Sequence, residues 1–322
     1  MAAIEVRNLV VSYGEKMAVA GLDLSCSKGE ILCLLGPNGA GKTTTVETIE
    51  GYKKPTSGSV RVLDMDPIKD KRALSSKIGV MLQKGGIYPR MSVGDSLQLY
   101  AGFYQNPRSP RDLARILDLT PLWETKYRRL SGGEAQRLSL ALSIIGNPEV
   151  VFLDEPTAGV DPEGRLVIRQ MIKQLAEDGT TVLLTTHELG EAEKLADNIV
   201  IIAAGKKIAE GTLTQLRDRF DTGGIRFSAN SLDRARLMEK LGVEIVEVRP
   251  TEYKVVGEAT PAKIAELTSL LSQMGVEYGS LSTEKTGLEE IYLDLVRSQG
   301  PEETGPSALT VDKKLLNNRV AK

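Results

Sequence analysis

The stretch Ile31-Leu32-Cys33-Leu34-Leu35-Gly36-Pro37-Asn38-Gly39-Ala40-Gly41-Lys42-Thr43-Thr44 decides the fold class. Five apolar residues without polar alternation read as a strand buried on both faces, as in a parallel sheet covered by helices. The glycine-rich turn after it opens a helix at Lys42, the context in which a phosphate-loop pattern acquires a mechanism. Glycines let backbone amides converge on phosphate oxygens. Lys42 supplies a point charge for the β and γ phosphates, and Thr43 a hydroxyl for Mg²⁺.

The sequence around this core alternates strand-like and helix-like segments from about residue 4 to 215, the pattern of an α/β domain on a mostly parallel sheet. Val150 to Leu153 and Val182 to Leu184 are two further buried strands. The first ends in Asp154-Glu155, so both carboxylates fall at the carboxyl edge of the sheet, where ligands bind. Asp154 is expected to hold the Mg²⁺ shell. Glu155 is expected to orient or deprotonate an attacking water, the positioning role a mostly dissociative transition state requires. Between Gln83 and Leu130 the strand signal gives way to helical segments, Val93 to Tyr104 and Arg111 to Leu117, which read as a helical insertion over 84–130.

Ser131-Gly132-Gly133 precedes a second helix, whose apolar residues Leu138, Ala141, Leu142 and Ile145 recur at helical spacing. Its free amides and dipole end suit an anion. With Leu130 before it and Glu134 after, this segment resembles the signature sequence of ABC ATPases. Tyr13 resembles that family's adenine-stacking aromatic, Gln83 its Q-loop glutamine, and Ala158-Gly159-Val160-Asp161 its D-loop. His187, the chain's single histidine, resembles the switch histidine. Order and approximate spacing match over residues 4 to 215. Glu134 stands where the family most often has Gln, and Val160 where it often has Leu.

The resemblance implies an ATPase using ATP and Mg²⁺, with Glu155, His187 and Gln83 catalytic and Thr43, Asp154 and Gln83 around the metal. It implies nucleotide contacts from Tyr13, from Gly36 through Thr44, and from Ser131 through Glu134. In ABC ATPases the signature meets the γ phosphate held by the opposite subunit, so a second ATP-binding chain, in a homodimer, is expected. Leu288 to Leu293 resembles the closing segment of subunits paired with ABC-2-type permeases, including the daunorubicin-resistance type of drug exporters. That implies an export motor on the cytoplasmic face of the membrane, with Lys84 to Pro89 contacting the permease. A soluble non-transport ABC ATPase and an importer motor remain as alternatives.

Composition fits this reading. The 322 residues carry 41 Lys and Arg against 43 Asp and Glu, a net charge of −2 that offers no nucleic-acid footprint. No apolar run is long enough to span a bilayer, and Met1 to Val10 lacks a secretory pattern. Cys26 and Cys33 read as buried small hydrophobes in a reducing compartment. The expected domains are a nucleotide-binding unit over 1–220 and a small α+β unit over 225–297, joined through Thr222, Gly223 and Gly224. A disordered tail is expected over 298–322.

Overall fold

The computed structural model describes residues 2–81, 86–220, 223–283 and 287–298. Gln83, Lys84 and Thr222 lie outside them, as does the tail from 299 onward. The N-terminal unit opens with β1 (Ala2–Tyr13), β2 (Lys16–Ser27), β3 (Ile31–Leu35), α1 (Lys42–Ile49), β4 (Ser57–Val62), α2 (Lys71–Leu74) and β5 (Ile78–Met81). It continues with α3 (Val93–Ala101), α4 (Pro110–Ile116), α5 (Gly132–Ile144), β6 (Val150–Asp154) and α6 (Pro162–Glu177). It closes with β7 (Thr181–Thr186), α7 (Leu189–Leu195), β8 (Asn198–Ala203), β9 (Lys206–Gly211) and α8 (Leu213–Phe220).

β3, β6 and β7 form the middle of a six-stranded sheet ordered β5-β6-β7-β3-β8-β9, parallel except for β9, which pairs antiparallel with β8. It is therefore a mixed sheet. Alternate residues along these strands enter two different cores. Cys33, Leu35, Val151, Leu153 and Leu184 pack toward the helices, among them α5 and α6. Leu32, Leu34, Val150, Phe152 and Leu183 pack toward α1 and a three-stranded antiparallel sheet ordered β2-β1-β4. This double burial is why the strand sequences show no polar alternation. Cys26 and Cys33 are free and buried, and burial pushes both thiols well above their ordinary range.

The helical insertion is built from local signals. Ser92 and Ser109 accept from the backbone amides of Asp95 and Asp112, capping α3 and α4. The Arg111 guanidinium lies 3.7 Å from the Trp123 ring centroid, holding α4 against the loop that leads to α5.

The C-terminal unit contains β10 (Gly224–Ala229), α9 (Arg234–Leu241), β11 (Ile245–Arg249), β12 (Glu252–Val256), α10 (Pro261–Gln273) and β13 (Tyr278–Ser282), followed by α11 (Leu288–Ser298). Its antiparallel sheet is ordered β11-β12-β10-β13. One face, with Ile225, Phe227 and Val255, shares a separate core with Leu237 of α9 and Leu267 and Leu271 of α10. α11 behaves differently from the expectation that it belongs to this small unit. Leu288, with Tyr292 and Leu295 beside it, joins the core of the N-terminal unit, and α11 packs on α7 and α8. The Leu288 amide donates to Glu193 Oε1 of α7 across 2.8 Å. An apolar stripe predicts that a helix face is covered, but not by which neighbour.

Candidate functional site

The register of the central sheet aligns three strand ends: Leu35 of β3 pairs with Thr186 of β7, and Asp154 of β6 with Thr185. The segments that follow these strands hold the glycine loop, the Asp154-Glu155 pair and His187, so all three reach one carboxyl edge. Within the loop, a Cβ on Gly36 would lie 2.4 Å from the Ile202 carbonyl oxygen, so this strand end tolerates only glycine. Gly41 has φ 101° and caps α1, and a Cβ there would lie 2.4 Å from the Ala18 carbonyl oxygen. The backbone is thereby held in a curve whose amides lead into a helix N-terminus.

Lys42 is buried and donates to the carbonyls of Gly36 at 2.7 Å and Pro37 at 3.1 Å. Burial lowers its pKa, and the nearby carboxylates of Glu155 and Asp154 oppose that shift. The loop opens on a cleft of about 640 Å³ whose lining includes Tyr13, Asn38, Lys42, Thr43, Asp154 and Glu155. Tyr13 is half-exposed, with its hydroxyl 3.5 Å from Thr44 Oγ1 and Lys53 Nζ 4.1 Å from its ring centroid.

Asp154 accepts a hydrogen bond from Thr185 Oγ1, which fixes the carboxylate at the strand end. Glu155 takes a left-handed φ of 50°, which turns the chain sharply after β6. Its backbone is anchored twice, the amide donating to the Thr185 carbonyl at 3.1 Å and the carbonyl accepting from Gln136 Nε2 at 2.9 Å. Its side chain accepts from His187 Nδ1 at 2.7 Å. Thr43 presents an exposed hydroxyl in the cleft that Asp154 also lines. These hard oxygen donors suit Mg²⁺, which keeps waters and phosphate oxygens in its shell. Among the described residues no group of three or more His, Cys, Asp or Glu could cage a metal without such outside ligands. Gln83 lies outside the described residues.

The signature segment is elsewhere. Ser131 caps α5 and accepts from the Glu134 amide at 3.3 Å, while Glu134 Oε2 accepts from the Ser131 amide at 2.7 Å. This reciprocal capping box needs a long side chain with an acceptor oxygen at position 134, which Glu supplies as Gln would. Gly132 and Gly133 lie beside Gly159 and Asp161, not beside the glycine loop. Tyr13, Gly36 to Thr44, Asp154, Glu155 and His187 therefore gather at one edge of the chain, while Ser131 to Glu134 do not line that cleft.

Sequence reading did not single out Thr185 or Gln136. Thr185 had a usable signal, a hydroxyl two residues before His187 that follows the apolar run Val182 to Leu184. The cleft walls from Lys16, Met17, Ala204 and Gly205 had none, because they come from the start of β2 and the turn after β8, which are remote in sequence.

Comparison with known proteins adds to this geometry. The sequence profile described as ABC transporter matches residues 19–158. The daunorubicin resistance ATP-binding protein DrrA3 of Streptomyces coeruleorubidus is 34% identical over 307 residues, covering 91% of this chain and 95% of that protein. The linearmycin resistance ATP-binding protein LnrL of Bacillus subtilis (strain 168) is 33% identical, covering 91% and 97%. Among solved structures, a bacterial ABC transporter cassette determined as a dimer superposes with a TM-score of 0.59 at 28% identity. It covers 65% of this chain and 98% of its own.

Proposed function

We propose that this chain, which belongs to the ABC transporter family as an ATP-binding subunit and ATPase, powers export of a drug-like, lipid or related compound through a separate ABC-2-type permease. The resistance functions in the relatives' names support export. Among the described residues no helix is long and apolar enough to cross a membrane, which supports attachment to the cytoplasmic face through that permease. On this reading residues 1–220 are the nucleotide-binding domain, with its helical subdomain over 84–130, and the small unit from 225, apart from α11, which packs on the N-terminal unit, is an accessory unit that stabilises or regulates the dimer.

The observation that carries the mechanism is the separation, within one chain, of Ser131 to Glu134 from the cleft of Lys42, Asp154 and Glu155. Two identical chains arranged head to tail bring the α5 N-terminus of one to the γ phosphate held by the other. ATP then lies in a sandwich, with the Gly36–Thr44 loop and Tyr13 on one side and Ser131 to Glu134 of the second copy opposite. Thr43, Asp154 and Gln83 would hold Mg²⁺, which neutralises phosphate charge when bound. Glu155 orients the attacking water, and His187 fixes the Glu155 carboxylate and reaches the same phosphate. Closure on ATP and reopening after hydrolysis pass to the permease through the segment Lys84 to Pro89.

Lys42→Ala in the purified complex tests the cleft assignment, since it removes the loop's side-chain cation. ATP turnover should be lost, and turnover near the wild-type value would overturn the assignment. The chain expressed alone should stay out of the membrane fraction and move there when its permease is co-expressed; membrane binding without a permease would overturn the attachment reading.

A further inference from the structure

Tyr13 ends β1 with its ring at the cleft, and the face of that ring turned away from the cleft is already occupied. Lys53 Nζ stands 4.1 Å from the ring centroid, while the cleft is lined by Tyr13 and not by Lys53. The same ammonium donates to Glu47 Oε2 of α1 at 3.1 Å. An ammonium has three protons, so one bond to a carboxylate leaves it free to lie against the negative face of an aromatic ring.

The backbone holds this arrangement in place. The amides of Tyr52 and Lys53 both donate to the Glu47 carbonyl, at 2.9 and 3.1 Å, which folds the segment after α1 back against the helix. Three residues on, the Thr56 amide donates to the Val10 carbonyl at 2.8 Å, and the Ser12 amide donates to Thr56 Oγ1 at 3.0 Å. The segment that carries Lys53 is thereby strapped to the end of β1. At the far end of the ring, the Tyr13 hydroxyl is 3.5 Å from Thr44 Oγ1, also on α1. The ring therefore lies along the phosphate-loop helix, between Thr44 and the Lys53–Glu47 pair.

We propose that Lys53 is a positioning residue of the nucleotide site, holding Tyr13 as a preformed platform for the base of ATP. The inference rests on the reading of Tyr13 as the base contact and names what strengthens that contact. Two stacked aromatic systems meet through faces that are both electron-rich. A cation on the outer face of Tyr13 draws density away from the inner one, so the order ammonium, ring, base is favourable at both junctions. A ring already held on one side also has less freedom to lose when the base arrives. Neither effect reaches the phosphates, so Lys53 acts on binding of the nucleoside alone. Glu47 keeps the ammonium over the ring instead of in solvent.

Titration calorimetry of the full chain with MgADP and with magnesium pyrophosphate tests this, because the two ligands share a diphosphate and only the first carries a base. Lys53→Met keeps most of the stem and removes the charge. It should weaken MgADP about fivefold and leave pyrophosphate within about twofold. Lys53→Arg should restore MgADP affinity, since a guanidinium also stacks on an aromatic face. Tyr13→Leu should weaken MgADP about tenfold, and Lys53→Met added to it should change nothing further. With Tyr13→Leu weakening MgADP as expected, three results each overturn the role of Lys53 and leave Tyr13 as the base contact: wild-type MgADP affinity in Lys53→Met, an equal loss of MgADP and pyrophosphate in that variant, or an undiminished effect of Lys53→Met in the Tyr13→Leu chain. Wild-type MgADP affinity in Tyr13→Leu overturns both readings together.

Discussion

His187 Nδ1 donates to Glu155 Oε1 across 2.7 Å, joining the ends of two adjacent strands. A carboxylate oxygen without a proton can only accept, so the proton of this bond resides on Nδ1. The imidazole is half-exposed while the Glu155 side chain is mostly covered. The histidine therefore acts as an outer clamp on an inner carboxylate. His187→Ala should cut turnover by about 10²-fold while ATP affinity stays within about twofold, because no contact within the glycine loop is removed. Steady-state hydrolysis and fluorescent-nucleotide titration measure the two quantities, and a parallel fall in both would refute the clamp.

A matched pair of glycines separates conformational strain from collision. Gly41 has φ 101° and no room for a Cβ against the Ala18 carbonyl, whereas Gly14 has φ 58° and open space around the same position. Gly14→Ala should cost about 1 kcal/mol by strain alone. Gly41→Ala should cost more and also lose ATP affinity, since the phosphate loop must shift to admit the methyl group. Thermal melts with and without nucleotide compare them, and equal losses of stability would contradict the collision.

Glu50 gives the chain a pH signature. Burial at the end of α1, with like charge from Asp154 and Glu47, raises its folded pKa to about 8, above the ordinary 4.5, so the fold binds a proton that the unfolded chain releases. Stability from this site is fully present below pH 4.5 and is lost as pH rises through 8, by at most about 5 kcal/mol. Glu50→Gln should melt with the wild type at about pH 5 and several degrees above it at about pH 9. Other titrating groups are common to both proteins and cancel. Coincident melting curves at both pH values would show that Glu50 ionises freely.

Where function rested on local sequence, it was readable before any coordinates. A strand, a glycine turn and a lysine must be contiguous to form a phosphate cradle, and Ser131 with Glu134 must be three apart to form a capping box. The mostly parallel central sheet followed from apolar runs such as Ile31 to Leu35, which are buried on both faces. What escaped depends on chain-distant meetings. Gln136 reaches the Glu155 carbonyl only because α5 packs beside β6, and Lys16 meets Gly205 in the cleft only because the start of β2 comes beside the turn after β8. The docking of α11 on α7 escaped for the same reason. Glu50 escaped because a carboxylate at a helix end reads as solvated until burial is known.

The last prediction addresses the two-chain sandwich. Glu155→Gln keeps the side chain's size and removes the charge that orients water, so ATP binding should survive while turnover falls by a factor of about 10² or more. Unhydrolysed nucleotide should then hold the closed dimer, visible as a doubled mass by light scattering with MgATP. Ser131 lies outside its own chain's cleft, so adding Ser131→Arg leaves the contacts of Lys42 and Thr43 untouched while obstructing the partner's phosphate. The double variant should bind ATP as a monomer. A loss of the α5 cap costs about 1 kcal/mol, too little to unfold the domain, so a monomer that still binds ATP reports the interface. If Glu155→Gln remains monomeric at saturating ATP, alone and with its permease, or if Ser131→Arg leaves the dimer intact, the α5 N-terminus does not complete the site across the two chains.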